Sequence, residues 1–115
     1  MEELKTKRGR RFRFKGRMGE EFIVYPSDKR NEPQDRYAVC ITPFTVDLVL
    51  QAIRKKRTIL AGASRDAPPA GSLGALVKEQ KQSPQQLSYL IPILEHLGHC
   101  RTSFRGRAIV AHSVD

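Results

Sequence analysis

The chain has 115 residues and a formal net charge of +9, with 21 Lys and Arg against 12 Asp and Glu. That length suits one domain with a modest core. Two cysteines cannot build a disulfide framework, no apolar run approaches the ~20 residues that cross a bilayer, and residues 1–17 lack the apolar centre of a secretory signal. Disulfide-stapled and membrane-spanning classes are therefore excluded, and reduced, buried cysteines in a cytoplasmic protein are expected.

Residues 1–17 concentrate the base, with Lys5, Lys7, Arg8, Arg10, Arg11, Arg13, Lys15 and Arg17 against Glu2 and Glu3. Further base lies at Arg54–Arg57 and at Arg101, Arg105 and Arg107. Clustering of this kind points to a polyanionic partner, nucleic acid before a membrane surface. Solubility is the bland alternative.

Residues 1–10 read as a disordered basic arm. Arg11-Phe-Arg-Phe-Lys15 then alternates charge with aromatic, the period of a half-buried strand with Phe12 and Phe14 inward. Gly16–Gly19 can turn the chain, and Glu21–Tyr25 is the return strand, ended by Pro26. Base interleaved with aromatic can also clamp a single strand of nucleic acid, but packing is the commoner use of such phenylalanines. Residues 27–36 read as a loop. Residues 37–41 form an apolar run, either a third strand or a lead-in to a helix.

A helix begins at Thr42 or Thr45, either of which can cap it, and carries Val46, Val49, Leu50 and Ile53 on one face. Arg54–Arg57 lies at its C-terminal end, where cations suit the helix dipole. Thr58–Gly62 either extends the helix or starts a short strand. After a loop over 64–71, Ser72 caps a short helix with Leu73, Leu76 and Val77 on one face. Lys81 and Gln82 make the next turn, where one of them must take a geometry that glycine favours.

The longest helix spans 84–97. Ser83 is its N-cap, Pro84 its first residue, and Gln86 closes a capping box. Leu87, Leu90, Ile91, Leu94 and Leu97 share a face, and Gly98 stops the helix. Pro92 removes one hydrogen bond within it, at a cost of about 3 kcal/mol unless a kink absorbs the ring. Residues 101–112 form a basic hairpin around Gly106.

From Thr45 onward the order is helix, connector, short helix, tight turn, longer helix and two-stranded hairpin. Carried by Ser83-Pro-Gln-Gln-Leu-Ser-Tyr-Leu, by Leu94-Glu-His-Leu-Gly98 and by Arg101–His112, residues 45–112 resemble a winged helix-turn-helix domain of small bacterial repressors. The resemblance implies an α+β fold: a winged-helix core over 42–112, a β-hairpin extension over 11–41 and the basic arm over 1–10. It implies duplex DNA as partner, a role in transcriptional regulation, and a homodimer on palindromic sites. The opposite face of the long helix carries Gln85, Ser88, Tyr89, Pro92 and His96. With Gln86, the uncharged Gln85, Ser88 and Tyr89 are expected to read bases. Arg101, Arg105 and Arg107 of the wing, with Arg8, Arg10, Arg11 and Arg13, are expected to hold the backbone. An interaction module for RNA or an acidic protein is the alternative. DNA is favoured if these arginines flank the Gln85–Tyr89 face.

No enzyme, cofactor or metal site is expected. Gly71-Ser-Leu-Gly74 lacks the Lys-Ser/Thr ending of a phosphate loop, and His96, His99, Cys100 and His112 lie beside no nucleophile motif. Those four residues invite a metal only weakly, since isolated His and Cys near a helix end are usually structural.

Overall fold

The computed structural model describes residues 1–27, 38–63 and 67–114. The loop expected over 27–36, apart from Ser27, lies outside these, as do Tyr37 and residues 64–66. The fold is α+β, with antiparallel sheets and three α-helices among the described residues.

The first sheet has four strands in sequential order: β1 (Glu2–Lys5), β2 (Arg11–Lys15), β3 (Phe22–Pro26) and β4 (Val39–Ile41). The charge–aromatic alternation of β2 works as expected, with Phe12 at 0% and Phe14 at 2% exposure. Both pack as core residues. Gly16 turns the chain at φ +117°, and a Cβ there would sit 2.4 Å from the Glu21 carbonyl oxygen, so only glycine fits. The apolar run before the first helix supplies β4, with Cys40 opposite Ile23.

Glu2–Lys5 is not a free arm. It pairs antiparallel with β2, Leu4 opposite Phe12 and Lys5 opposite Arg11. Leu4 also packs against the core. A single apolar residue among charges gives no strand signal by itself; pairing with β2 supplies the order.

Helix α1 (Pro43–Lys56) is capped by Thr42, whose Oγ1 accepts from the Thr45 N–H at 3.3 Å. It ends at Arg57, and the chain proceeds directly into β5 (Thr58–Leu60), which settles the ambiguity there in favour of a strand. Helix α2 (Leu73–Glu79) is capped by Ser72, which accepts from the Ala75 N–H at 3.1 Å. Gly74 lies so close to the chain after β5 that a Cβ would stand 1.7 Å from the Gly62 carbonyl oxygen. Lys81 takes the left-handed geometry that follows α2, at φ +61°. The N–H groups of Lys81 and Gln82 bond back to the Lys78 and Val77 carbonyls, the pairing of a glycine C-cap made with a lysine.

The long helix is shorter than expected. Pro84–Gln86 is a 3₁₀ turn, and helix α3 runs from Leu87 to His96. Ser83 accepts from the Gln85 N–H at 3.3 Å, but no capping box closes. Instead, the Gln86 amide donates to Gln82 Oε1 at 3.4 Å. Gly98 ends α3 as expected, with the Gly98 and His99 N–H groups bonded to the Glu95 and Leu94 carbonyls. Strands β6 (Arg101–Arg105) and β7 (Ala108–His112) form a hairpin, and β5 joins it to give the order β5-β7-β6.

One core unites the two sheets and the three helices. Phe12, Phe14, Phe22, Val24 and Ile41 from the first sheet meet Ile53, Leu73, Leu87, Leu90, Ile93 and Leu94 from the helices and Ile59 and Ala111 from the second sheet. Among the described residues no helix is long and apolar enough to cross a membrane.

Candidate nucleic-acid interface

Helix α3 is buried on more of its circumference than its leucine stripe requires. Besides Leu87, Leu90, Ile91 and Leu94, both Pro92 and Ile93 are buried. The first sheet lies across the second apolar side, because Phe12 needs a partner that the small core beneath α1 cannot supply alone. Tyr89 provides it, its ring 5.2 Å from that of Phe12 and tilted by 73°, an edge-to-face contact. Farther along, His96 Nε2 lies 3.2 Å from Glu2 Oε1.

The expected reading face is therefore divided. Tyr89 is half-buried under β2, Pro92 is buried, and His96 faces Glu2. Gln85 is exposed and Ser88 half-exposed. The N-terminal end of α3 is open while its middle is roofed.

A carboxylate clamp holds the roof down. Lys7, in the β1–β2 turn, donates to Glu95 Oε1. Glu95 Oε2 accepts from the Thr102 N–H at 2.9 Å and from its hydroxyl at 2.8 Å. Burial pushes the Glu95 carboxyl up, but the Lys7 ammonium and the Thr102 donors together outweigh it and hold the group below its usual range. The same turn reaches the second hairpin, where Arg8 Nη2 donates to the Arg107 carbonyl at 3.1 Å.

Between roof and helix runs a groove of about 1030 Å³. Thr6, Lys7, Arg8 and Arg10 line it together with Ser83, Gln85, Gln86, Ser88 and Tyr89. Its apolar floor includes Leu60, Ile91, Pro92 and Ile109. Ser27 lines it as well, but Ser27 Oγ and Gln86 Oε1 are closed off from solvent and have no hydrogen-bond partner, so nothing in the groove reaches them.

The expected arginines separate into four groups. Arg8 and Arg10 line the groove together with Gln85, Gln86, Ser88 and Tyr89. Arg107 lies at the tip of the β6–β7 hairpin, joined to Arg8 through its carbonyl. Arg101 and Arg105 share their strand face with Ser103, opposite to Thr102, which turns toward Glu95. Arg11 and Arg13 stand on the outer face of the first sheet, away from the groove, with Arg13 ion-paired to Glu3 at 3.3 Å.

Sequence reasoning missed Thr6, Lys7 and Ser27 as groove residues, since the folding of the β1–β2 turn brings the first two there and the pairing of β3 with β2 brings Ser27. It also missed a chain of side chains on the β5-β7-β6 sheet. Thr58 Oγ1 lies 3.2 Å from His112 Nδ1, and Ser103 Oγ lies 2.6 Å from His112 Nε2. This chain sits on an open strand face beside Arg101 and Arg105, outside the groove.

Of the two cysteines expected to be buried, Cys100 is and Cys40 is not. Cys100 is buried, and burial pushes its thiol up to about 11, with the neighbouring Glu95 charge adding to the effect and Lys7 opposing it. Cys40 is exposed, because strand alternation puts it on the outer face of its sheet. Among the described residues no three His, Cys, Asp or Glu side chains are grouped to hold a metal ion. No family model, curated protein or solved structure matches this chain.

Proposed function

We propose that the protein is a DNA-binding regulator built on a winged helix-turn-helix core. In this reading α2, the turn at Lys81 and α3 form the helix-turn-helix, and β6–β7 is the wing. The observation that carries the proposal is the shared groove: Arg8 and Arg10 line the same cleft as the uncharged Gln85 and Ser88. Its cations supply backbone affinity, and the exposed Gln85 amide can pair with a base edge.

The roof changes how the duplex is met. Side-on insertion of α3 along its length would have to displace β1 and β2. DNA instead meets the chain near Gln85, at the open end of α3, with Arg8, Arg10 and the adjoining Arg107 as its cations. Arg101 and Arg105, on another face, take no part in this contact.

The test is binding to random duplex DNA across a salt series. Three backbone contacts from Arg8, Arg10 and Arg107 give a slope of log affinity against log salt of about −3. Replacing Arg8 and Arg10 together with alanine lowers the slope by about two and weakens all sequences alike. Gln85→Ala relaxes sequence preference instead, by about 1–3 kcal/mol at the affected base pair. Absence of duplex binding at low salt refutes the proposal. Tighter binding of structured RNA than of any duplex would favour the interaction-module reading in its place.

A further inference from the structure

The outer face of the four-stranded sheet lies apart from the groove. Strand register assembles it in three rows: Lys5 beside Arg11, then Glu3, Arg13 and Tyr25, then Lys15, Ile23 and Cys40. The opposite face of the same strands carries Phe12, Phe14, Phe22, Val24 and Ile41, all in the core. The outer rows therefore face away from the packed interior. Lys5, Arg11, Lys15 and Cys40 are exposed, and Ile23 and Tyr25 are half-exposed.

Two features distinguish this face from an ordinary solvated strand surface. Its charge is one-sided: Glu3 is the only acid in these rows, and it is already paired with Arg13. Its aromatic is set among the cations. Tyr25 stands directly opposite Arg13, and Lys15 Nζ lies 5.7 Å from the Tyr25 ring centre. A base stacked on Tyr25 takes the place of the Lys15 ammonium over the ring and leaves it, with Arg11, to meet the phosphates. A flat aromatic beside a row of cations suits bases that are already unstacked. A duplex keeps its base faces hidden and offers such a surface only its backbone.

We infer that the outer face of this sheet binds single-stranded nucleic acid, with Tyr25 as the stacking platform and Arg11 and Lys15 as backbone contacts. The contact is tolerant of sequence, since every base has a face to stack. It is independent of the groove and of the duplex contact proposed there.

Cys40 makes the inference directly testable, because it lies in the same rows and the other thiol, Cys100, is buried. The full chain is titrated with end-labelled oligothymidylate and oligouridylate, and the reaction of Cys40 with a thiol reagent is followed with and without saturating oligonucleotide. Both oligonucleotides are expected to bind, and Cys40 is expected to react more slowly when they do. Tyr25→Leu is expected to weaken binding roughly tenfold while Tyr25→Phe binds normally. The double change of Arg11→Glu and Lys15→Glu, both at exposed positions, provides a second route if Tyr25→Leu folds poorly, and is also expected to abolish protection.

Binding that leaves Cys40 unprotected would overturn the inference, as would equal affinity of the Leu and Phe variants, or no binding at low salt. Equal protection by polyglutamate would overturn the choice of nucleic acid as partner. Alanine at Arg8 and Arg10 is expected to leave oligonucleotide binding intact while weakening duplex binding, so the two proposals fail separately.

Discussion

Replacing Glu95 with glutamine should loosen the roof over α3 and do so in a pH-dependent way. The carboxylate joins Lys7, the end of α3 and the start of β6, and accepts from three donors. Hydrogen bonds to a charged acceptor contribute about 1.5–3 kcal/mol each when well enclosed. The Glu95 side chain is 29% exposed and Lys7 27%, so water replaces part of what is lost. A net loss of about 1–2 kcal/mol is expected, or roughly 5 °C in Tm. The carboxyl is held below its usual range in the folded chain and is ordinary in the unfolded one. Its contribution is therefore complete above the unfolded-state pKa and is lost as pH falls through the folded-state pKa. Urea melts of wild type and Glu95→Gln should differ at neutral pH and converge in acid. Lys7→Ala should cost less in the Glu95→Gln background than alone. A stability gap that is unchanged from neutral to acid pH would refute the argument, as would full additivity of the two changes.

Four other outcomes are expected. Gly74→Ala forces a Cβ against the Gly62 carbonyl and should cost about 1–3 kcal/mol in denaturant melts, whereas alanine at Gly98, where nothing lies within 4 Å, should cost less and only through its backbone angle. Lys81→Gly relieves a left-handed lysine and should add about 0.5–1 kcal/mol, read as a higher Tm. Deleting residues 1–10 removes β1 and the Lys7 clamp, and should lower Tm by several degrees rather than affecting nucleic-acid affinity alone. A thiol reagent added to the native chain should label Cys40 quickly and Cys100 only on unfolding, as mass spectrometry of the labelled peptides would report.

Much of the local structure was legible because the signals are local. Alternation in Arg11–Lys15, the caps at Thr42 and Ser72, and the stop at Gly98 each depend on a few neighbouring residues. The left-handed turn at Lys81 or Gln82 was legible from the missing glycine. Less legible was whatever depends on distant partners. Leu4 is one apolar residue among charges, and only Phe12 makes a strand of it. Thr58–Leu60 is equally consistent with a helix until β7 pairs with it. Most consequential is α3. Its leucine stripe located the core face, but Ile93 and Pro92 already marked a second apolar side, and a helix buried on two sides cannot present a full reading face. Of the candidate contacts, Gln85, Gln86, Ser88, Tyr89, Arg8 and Arg10 come together. Arg11, Arg13, Arg101 and Arg105 are carried elsewhere, because strand alternation sends them to other faces.

The clamp between the β1–β2 turn and the C-terminal part of the fold also bears on how the chain reaches its native state. Residue 2 meets residue 96, residue 7 meets residue 95, and residue 8 meets residue 107. Each contact closes a loop of nearly the whole chain, and such closures come late because their entropy must be met before they reward it. The β2–β3 hairpin and the helices can form from near neighbours, so β1 is expected to dock last and to exchange its amide hydrogens first. The groove would then exist only in the final state, and fluctuations that release β1 would open it without disturbing the core.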